Sequence, residues 1–222
     1  RIWGDITPDY LLFPKCAQRI KLYNPDVKLI VMLRNPADRA FSHYIMNKRY
    51  TDDGKSFEEA IEKESGRLNG RYGRTMKFSY IERGFYYKQL KQYYDVFPRE
   101  NIKIVIFEEF IRDMPDAIAG LEDFLGINRF DNYKKPERTN EGYLPKKRWI
   151  AYIKRHFVRP VRGLYNSVLP EGLRTRIREA TDEGKLPKEQ MPAGVRSKLM
   201  DIFADDIKAL EKLIGRDLSI WT

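Results

Sequence analysis

The sequence predicts an α/β fold built on a parallel sheet flanked by helices. Two observations carry this. Asp26–Leu33 and Ile102–Phe107 are short runs rich in Val, Ile and Leu, the pattern of strands apolar on both sides. Segments with helical 3.6-residue spacing lie between and after them, which argues for crossover connections rather than hairpins. With 42% hydrophobic and 13% aromatic residues in 222, the chain has the apolar content of a packed domain.

The elements follow in order. A loop and a helix precede the first strand. After it, Arg34-Asn35-Pro36-Ala37-Asp38-Arg39 opens a second helix. Asn35 is a good cap, Pro36 suits the first helical position, and Asp38 puts an acid in the first turn. Ala40, Phe41, Tyr44, Ile45 and Met46 are expected on its apolar face. Ser56-Phe57-Glu58-Glu59 fits a capping box and starts a short helix to Glu64. Gly66, Gly70 and Gly73, with arginines between them, predict a mobile loop. A Tyr-rich helix is expected from Tyr80 to Phe97, and Pro98–Asn101 turns into the second strand. Helices are expected at Met114–Leu125, ended by Gly126, and at Gly194–Leu213, closed by Gly215.

Composition narrows the function. Lys and Arg number 42 against 32 Asp and Glu, a formal charge of +10 that favours acidic partners. Much of the surplus lies between Lys134 and Arg162, where Glu137 and Glu141 are the only acids. One cysteine, Cys16, excludes an internal disulfide framework, and with two His no metal site is expected. No apolar run approaches the roughly 20 residues of a membrane span. A cytoplasmic location is expected, with an upstream anchor or signal left open, since the chain starts at Arg1 without a Met.

Arg34 is the first candidate for chemistry. It stands at the carboxyl end of a buried strand, where ligands bind in open α/β sheets. A helix N-terminus with unpaired N–H groups follows, and it attracts anions. Arg34 adds a planar fork of donors suited to phosphate, and Ser42, eight residues on, adds a hydroxyl.

Lys28–Tyr44, with Arg-Asn-Pro and then Ser42, resembles the 3′-phosphate-binding strand and helix of sulfotransferases that use 3′-phosphoadenosine 5′-phosphosulfate (PAPS). Asp5-Ile6-Thr7-Pro8-Asp9-Tyr10 is similar to the family's Glu-Lys-Thr-Pro-x-Tyr segment. Glu82-Arg83-Gly84-Phe85-Tyr86, Ile104–Phe110, Phe124–Ile127 and Gly215–Trp221 fall in order where the family has comparable stretches. The resemblance implies a P-loop-like three-layer αβα fold. It implies a single domain over residues 1–222, with a basic cap at 134–190. It implies PAPS as donor, a hydroxyl acceptor and the 3′-phosphate on Arg34 and Ser42. A loop following the sheet would bring Lys147 and Arg148 to the nucleotide phosphates.

Two departures stand out. The family's first strand and Gly-rich phosphate loop with its Lys are expected upstream of residue 1, and the Lys of the Glu-Lys-Thr-Pro segment is Ile6 here. For the base that takes the acceptor's proton, His43, His156, Asp5 and Asp9 are candidates, and His156 is singled out. The basic stretch suits an acidic acceptor, either a glycan or a carrier-bound substrate, and nucleic acid is not the expected partner. The alternative is a non-catalytic basic module for polyanions or nucleic acid. Steep salt dependence would mark it. A related P-loop kinase is a third reading, weakened by the lack of a Gly-Lys-Ser/Thr loop.

Overall fold

The computed structural model describes residues 3–50, 55–69, 77–130, 143–145, 182–185 and 189–221. They fall into two compact units. Residues 1–45, 54–133 and 191–222 belong to one, and 46–53 and 134–190 to the other. In the second unit, β3 (Tyr143–Pro145) pairs antiparallel with β4 (Asp182–Lys185), and Lys48 pairs with Glu189.

The first unit is α/β. Its sheet joins β1 (Leu29–Leu33) and β2 (Ile102–Ile106) in parallel, with Leu29 opposite Ile102 and Leu33 opposite Ile106. The crossover contains α2 (Pro36–Tyr50), α3 (Phe57–Glu62), α4 (Glu64–Leu68) and α5 (Tyr86–Tyr94). Helix α1 (Lys15–Tyr23) precedes the sheet. After β2 come α6 (Phe107–Arg112), α7 (Met114–Leu125) and α8 (Ala193–Ile214).

Local chemistry accounts for most boundaries. Ser56 Oγ accepts from Glu59 N, and Glu59 Oε2 accepts from Ser56 N, the reciprocal box expected for α3. Helices α7 and α8 end on Gly126 (φ 68°) and Gly215 (φ 67°), left-handed positions where a side chain is strained.

The core lies against one face of the sheet. Leu33 and Ile106 meet Leu90 of α5, and Leu199, Phe203 and Leu210 of α8, all buried. Helix α2 turns Ala37, Ala40 and Tyr44 inward, whereas Met46, expected on that face, is exposed.

Three expectations change. Strand β2 is apolar and buried nearly throughout, but β1 leaves Ile30 and Met32 exposed. Helix α7 approaches the second face over β2: Lys28 Nζ donates to Phe124 O, and Lys103 Nζ lies close to Gly120. The Tyr80–Phe97 helix is shorter than its pattern, with a 3-10 turn at Glu82–Gly84 and helix only from Tyr86. The chain from Phe107 is helical rather than the end of a strand.

Candidate active site

The carboxyl end of β1 turns through Arg34 and Asn35 into α2. Asn35 caps the helix: its Oδ1 accepts from Ala37 N at 3.0 Å and Asp38 N at 3.1 Å. Pro36 has no N–H to offer. Asn35 N donates to Glu108 Oε1 at 2.9 Å. The amides that open α2 are therefore engaged within the protein, which corrects the expectation of unpaired N–H groups for an anion. What the turn can offer an anion is side chains and the helix dipole.

The turn is held from three distant parts of the chain. Asn35 Nδ2 donates to Trp221 O at 2.6 Å. Trp221 Nε1 donates to Glu108 Oε2 at 2.9 Å, so both carboxylate oxygens of Glu108 are committed to N–H groups. Tyr86 OH donates to Arg34 O at 3.0 Å, and its ring packs beside that of Trp221. Burial pushes the Tyr86 phenol up, so it stays protonated and keeps donating. The Arg34 guanidinium lies over the Phe107 ring, 5.0 Å from its centroid.

Ser42 is exposed, eight residues after Arg34 and on the same unit. Between them in sequence, Asp38 is countered by Arg196 of α8, with Nε 3.7 Å from Oδ1. Arg39 is half-buried. It donates through Nη2 to Tyr80 O, and burial lowers its pKa. Glu64, also buried, accepts from Ile81 N at 2.7 Å and Glu82 N at 2.9 Å. These two bonds fix the start of the 3-10 turn at Glu82–Gly84, which precedes α5. Gly84 then packs closely, since a Cβ there would meet Phe203 at 2.5 Å and Pro36 Cβ at 3.3 Å.

The segment like Glu-Lys-Thr-Pro-x-Tyr is a loop ending in a 3-10 turn at Pro8–Leu11. Asp5 accepts from Thr7 Oγ1 and from Tyr10 OH at 2.7 Å. Two contacts tie the loop down: Arg83 pairs with Asp9, and Tyr93 OH donates to Tyr10 O. Ile6, at the family's Lys position, is 94% exposed.

His43 packs edge-on to Tyr80, and burial, with Arg39 and Arg83 nearby, lowers its pKa to about 4. A base that weak accepts a proton poorly at neutral pH. Lys147, Arg148 and His156 lie outside the described residues. Sequence reasoning missed Phe107, Glu108 and Trp221 as supports of the turn. The acid just after an apolar strand was the available signal for Glu108.

Among the described residues, a cleft of about 430 Å³ runs along β2, lined by Lys103, Phe110, Arg112, Asp116 and Arg216 among others. Neither Arg34 nor Ser42 lines it. Arg216 donates to Ile104 O and pairs with Glu109, which protects the strand edge.

Fold and turn together define a parallel α/β protein with an arginine at the carboxyl end of a sheet strand. A family model described as the sulfotransferase domain matches residues 13–191, and the chain belongs to that family. It is 30% identical over 132 residues to human heparan sulfate glucosamine 3-O-sulfotransferase 6, spanning 58% of this chain and 36% of that protein. It is 32% identical over 129 residues to human heparan sulfate glucosamine 3-O-sulfotransferase 3B1, spanning 58% of this chain and 32% of that protein. The chain thus matches about a third of the length of these curated relatives. A crystal structure of a sulfotransferase from Alicyclobacillus acidocaldarius superposes with a TM-score of 0.66 and 31% identity, covering 96% of this chain and 64% of that one.

Proposed function

We propose that this chain binds PAPS and takes part in moving its sulfuryl group to a hydroxyl of a glycan acceptor. The observation that carries the reading is the Arg34 turn. A cation is anchored at a strand end, with the Ser42 hydroxyl exposed on the helix that follows, inside the stretch matched by the family model.

The residues present fit a phosphate dianion. The acid at the turn, Glu108, has both oxygens committed to N–H donors, so Arg34 is left to face an incoming anion. Arg34 and Ser42 would hold the 3′-phosphate, the group that separates this donor from ATP and AMP. PAPS, when bound, supplies the sulfuryl group, which passes to the acceptor oxygen as its bond to the 5′-phosphate breaks. The reading assigns Lys147 and Arg148 to the nucleotide phosphates and the acceptor's proton to His156. The glycan assignment is supported by the relatives named for heparan sulfate.

A calorimetric titration tests this. The full-length protein should bind 3′-phosphoadenosine 5′-phosphate well and AMP poorly. Arg34→Ala should cost about 2 kcal/mol with the first nucleotide and little with the second, as loss of a charge-assisted phosphate contact predicts. Equal affinity for the two nucleotides in the unaltered protein would end the reading.

A further inference from the structure

We propose that Phe107 is a positioning residue for Arg34, holding its guanidinium for the 3′-phosphate. The inference rests on the reading above, which makes Arg34 the 3′-phosphate ligand.

The first residues after β2 grip both ends of the Arg34–Asn35 step. The Phe107 ring lies under the guanidinium at 5.0 Å. The neighbouring Glu108 carboxylate holds the Asn35 N–H. Tyr86 closes the third side by donating to Arg34 O. The backbone of Arg34 is thus fixed by two hydrogen bonds, and its long side chain is fixed by a ring.

The chemistry asks for such a support. An arginine carries several rotatable bonds, and ordering it on binding costs affinity. A ring face meets the plane of the guanidinium and leaves its N–H edge unspent. That edge carries the paired donors that meet a phosphate. An acid in the same place would order the side chain equally well, but it would spend the donors and repel the dianion. Phe107 orders without doing either, and Glu108 is turned onto the Asn35 amide and the Trp221 indole.

A double-mutant cycle tests this, with nucleotide affinities read by calorimetry and folding by circular dichroism. Phe107→Leu keeps an apolar side chain and removes the ring. It should weaken 3′-phosphoadenosine 5′-phosphate on the order of five- to tenfold, between the ranges of an exposed and a desolvated cation–ring contact. AMP binding should not change. Phe107→Tyr should restore full affinity. In an Arg34→Ala background, Phe107→Leu should cause no further loss.

Equal weakening of both nucleotides, or the same loss with and without Arg34, would overturn the proposal. If Phe107→Leu lowers folded content, Phe107→Met carries the same predictions. An unaltered protein that does not prefer the 3′-phosphorylated nucleotide removes the functional reading itself. A preference left at its full size after loss of the ring removes only the role of Phe107.

Discussion

The Arg34 turn and the Asp5–Tyr10 loop lie on the same unit but are built differently. The turn is bonded to residues 86, 108 and 221, and its partners are buried or half-buried. The loop is bonded mainly to itself, through Asp5, Thr7 and Tyr10, with the tethers from Arg83 and Tyr93 added. Contacts from remote elements give the turn the stability of the whole unit, whereas the loop can shift at low cost. In the proposed reaction the rigid end reads the nucleotide, and the loop is left to adapt.

Breaking the rigid end should have the largest effect. Trp221→Ala removes a fully buried ring and the indole hydrogen bond to Glu108, and should cost about 3–5 kcal/mol in denaturant unfolding. Its loss should also abolish the preference for the 3′-phosphorylated nucleotide in any protein that remains folded.

His43 lies between the two regions and sharpens the comparison through pH. Its pKa is lowered to about 4 from a usual 6.5, so the unfolded chain binds the proton more readily. Its stability contribution is complete above pH 6.5 and is lost as pH falls toward 4, by about 2–3 kcal/mol. His43→Leu should flatten that part of a stability–pH curve. Glu64 works in the opposite sense: burial raises its pKa, so ionisation above its usual value of 4.5 costs stability. An unchanged slope in His43→Leu would show that other groups set the pH response.

Gly84→Ala comes next. A methyl group there must displace Phe203 or press on Pro36 at the start of α2. The expected cost is about 1–3 kcal/mol in thermal unfolding. The smallest effect belongs to the loop. Asp9→Asn removes an ion pair whose acid is half exposed, and should cost less than about 1 kcal/mol. Hydrogen exchange should quicken in the loop, while affinity for 3′-phosphoadenosine 5′-phosphate stays the same.

Elements whose ends depend on neighbours in sequence were legible in the sequence. Helix α7 runs from Met114 to Leu125 as its spacing predicts, because Asp113 caps it and Gly126 ends it locally. The helix pattern from Tyr80 overran: Glu64, a residue outside it, holds the Ile81 and Glu82 amides at the start of a 3-10 turn, and α-helix begins only at Tyr86. The turn that opens α2 shows the same limit within one motif. Asn35 was legible as a cap, and Pro36 as a first helical residue. Those two assignments already use up the amides that a bare helix end would offer. The remaining amide, on Asn35, is taken by Glu108, 73 residues away. Arg34 and Ser42 were named from spacing. Phe107 and Trp221 were not, because their partners are set by register and packing.

The clasp of Asn35 on Trp221 has a consequence for the order of assembly. Strand β1 and helix α2 leave the ribosome before β2, but the carbonyl and indole that complete the turn come 186 residues after Asn35. A nascent chain can pair β1 with β2 as soon as residue 106 has emerged. Until residue 221 follows, the Asn35 carboxamide and the Glu108 carboxylate each lack one partner. The Arg34 turn is therefore completed after the sheet, and substitutions near residue 221 should delay the turn more than they delay the sheet.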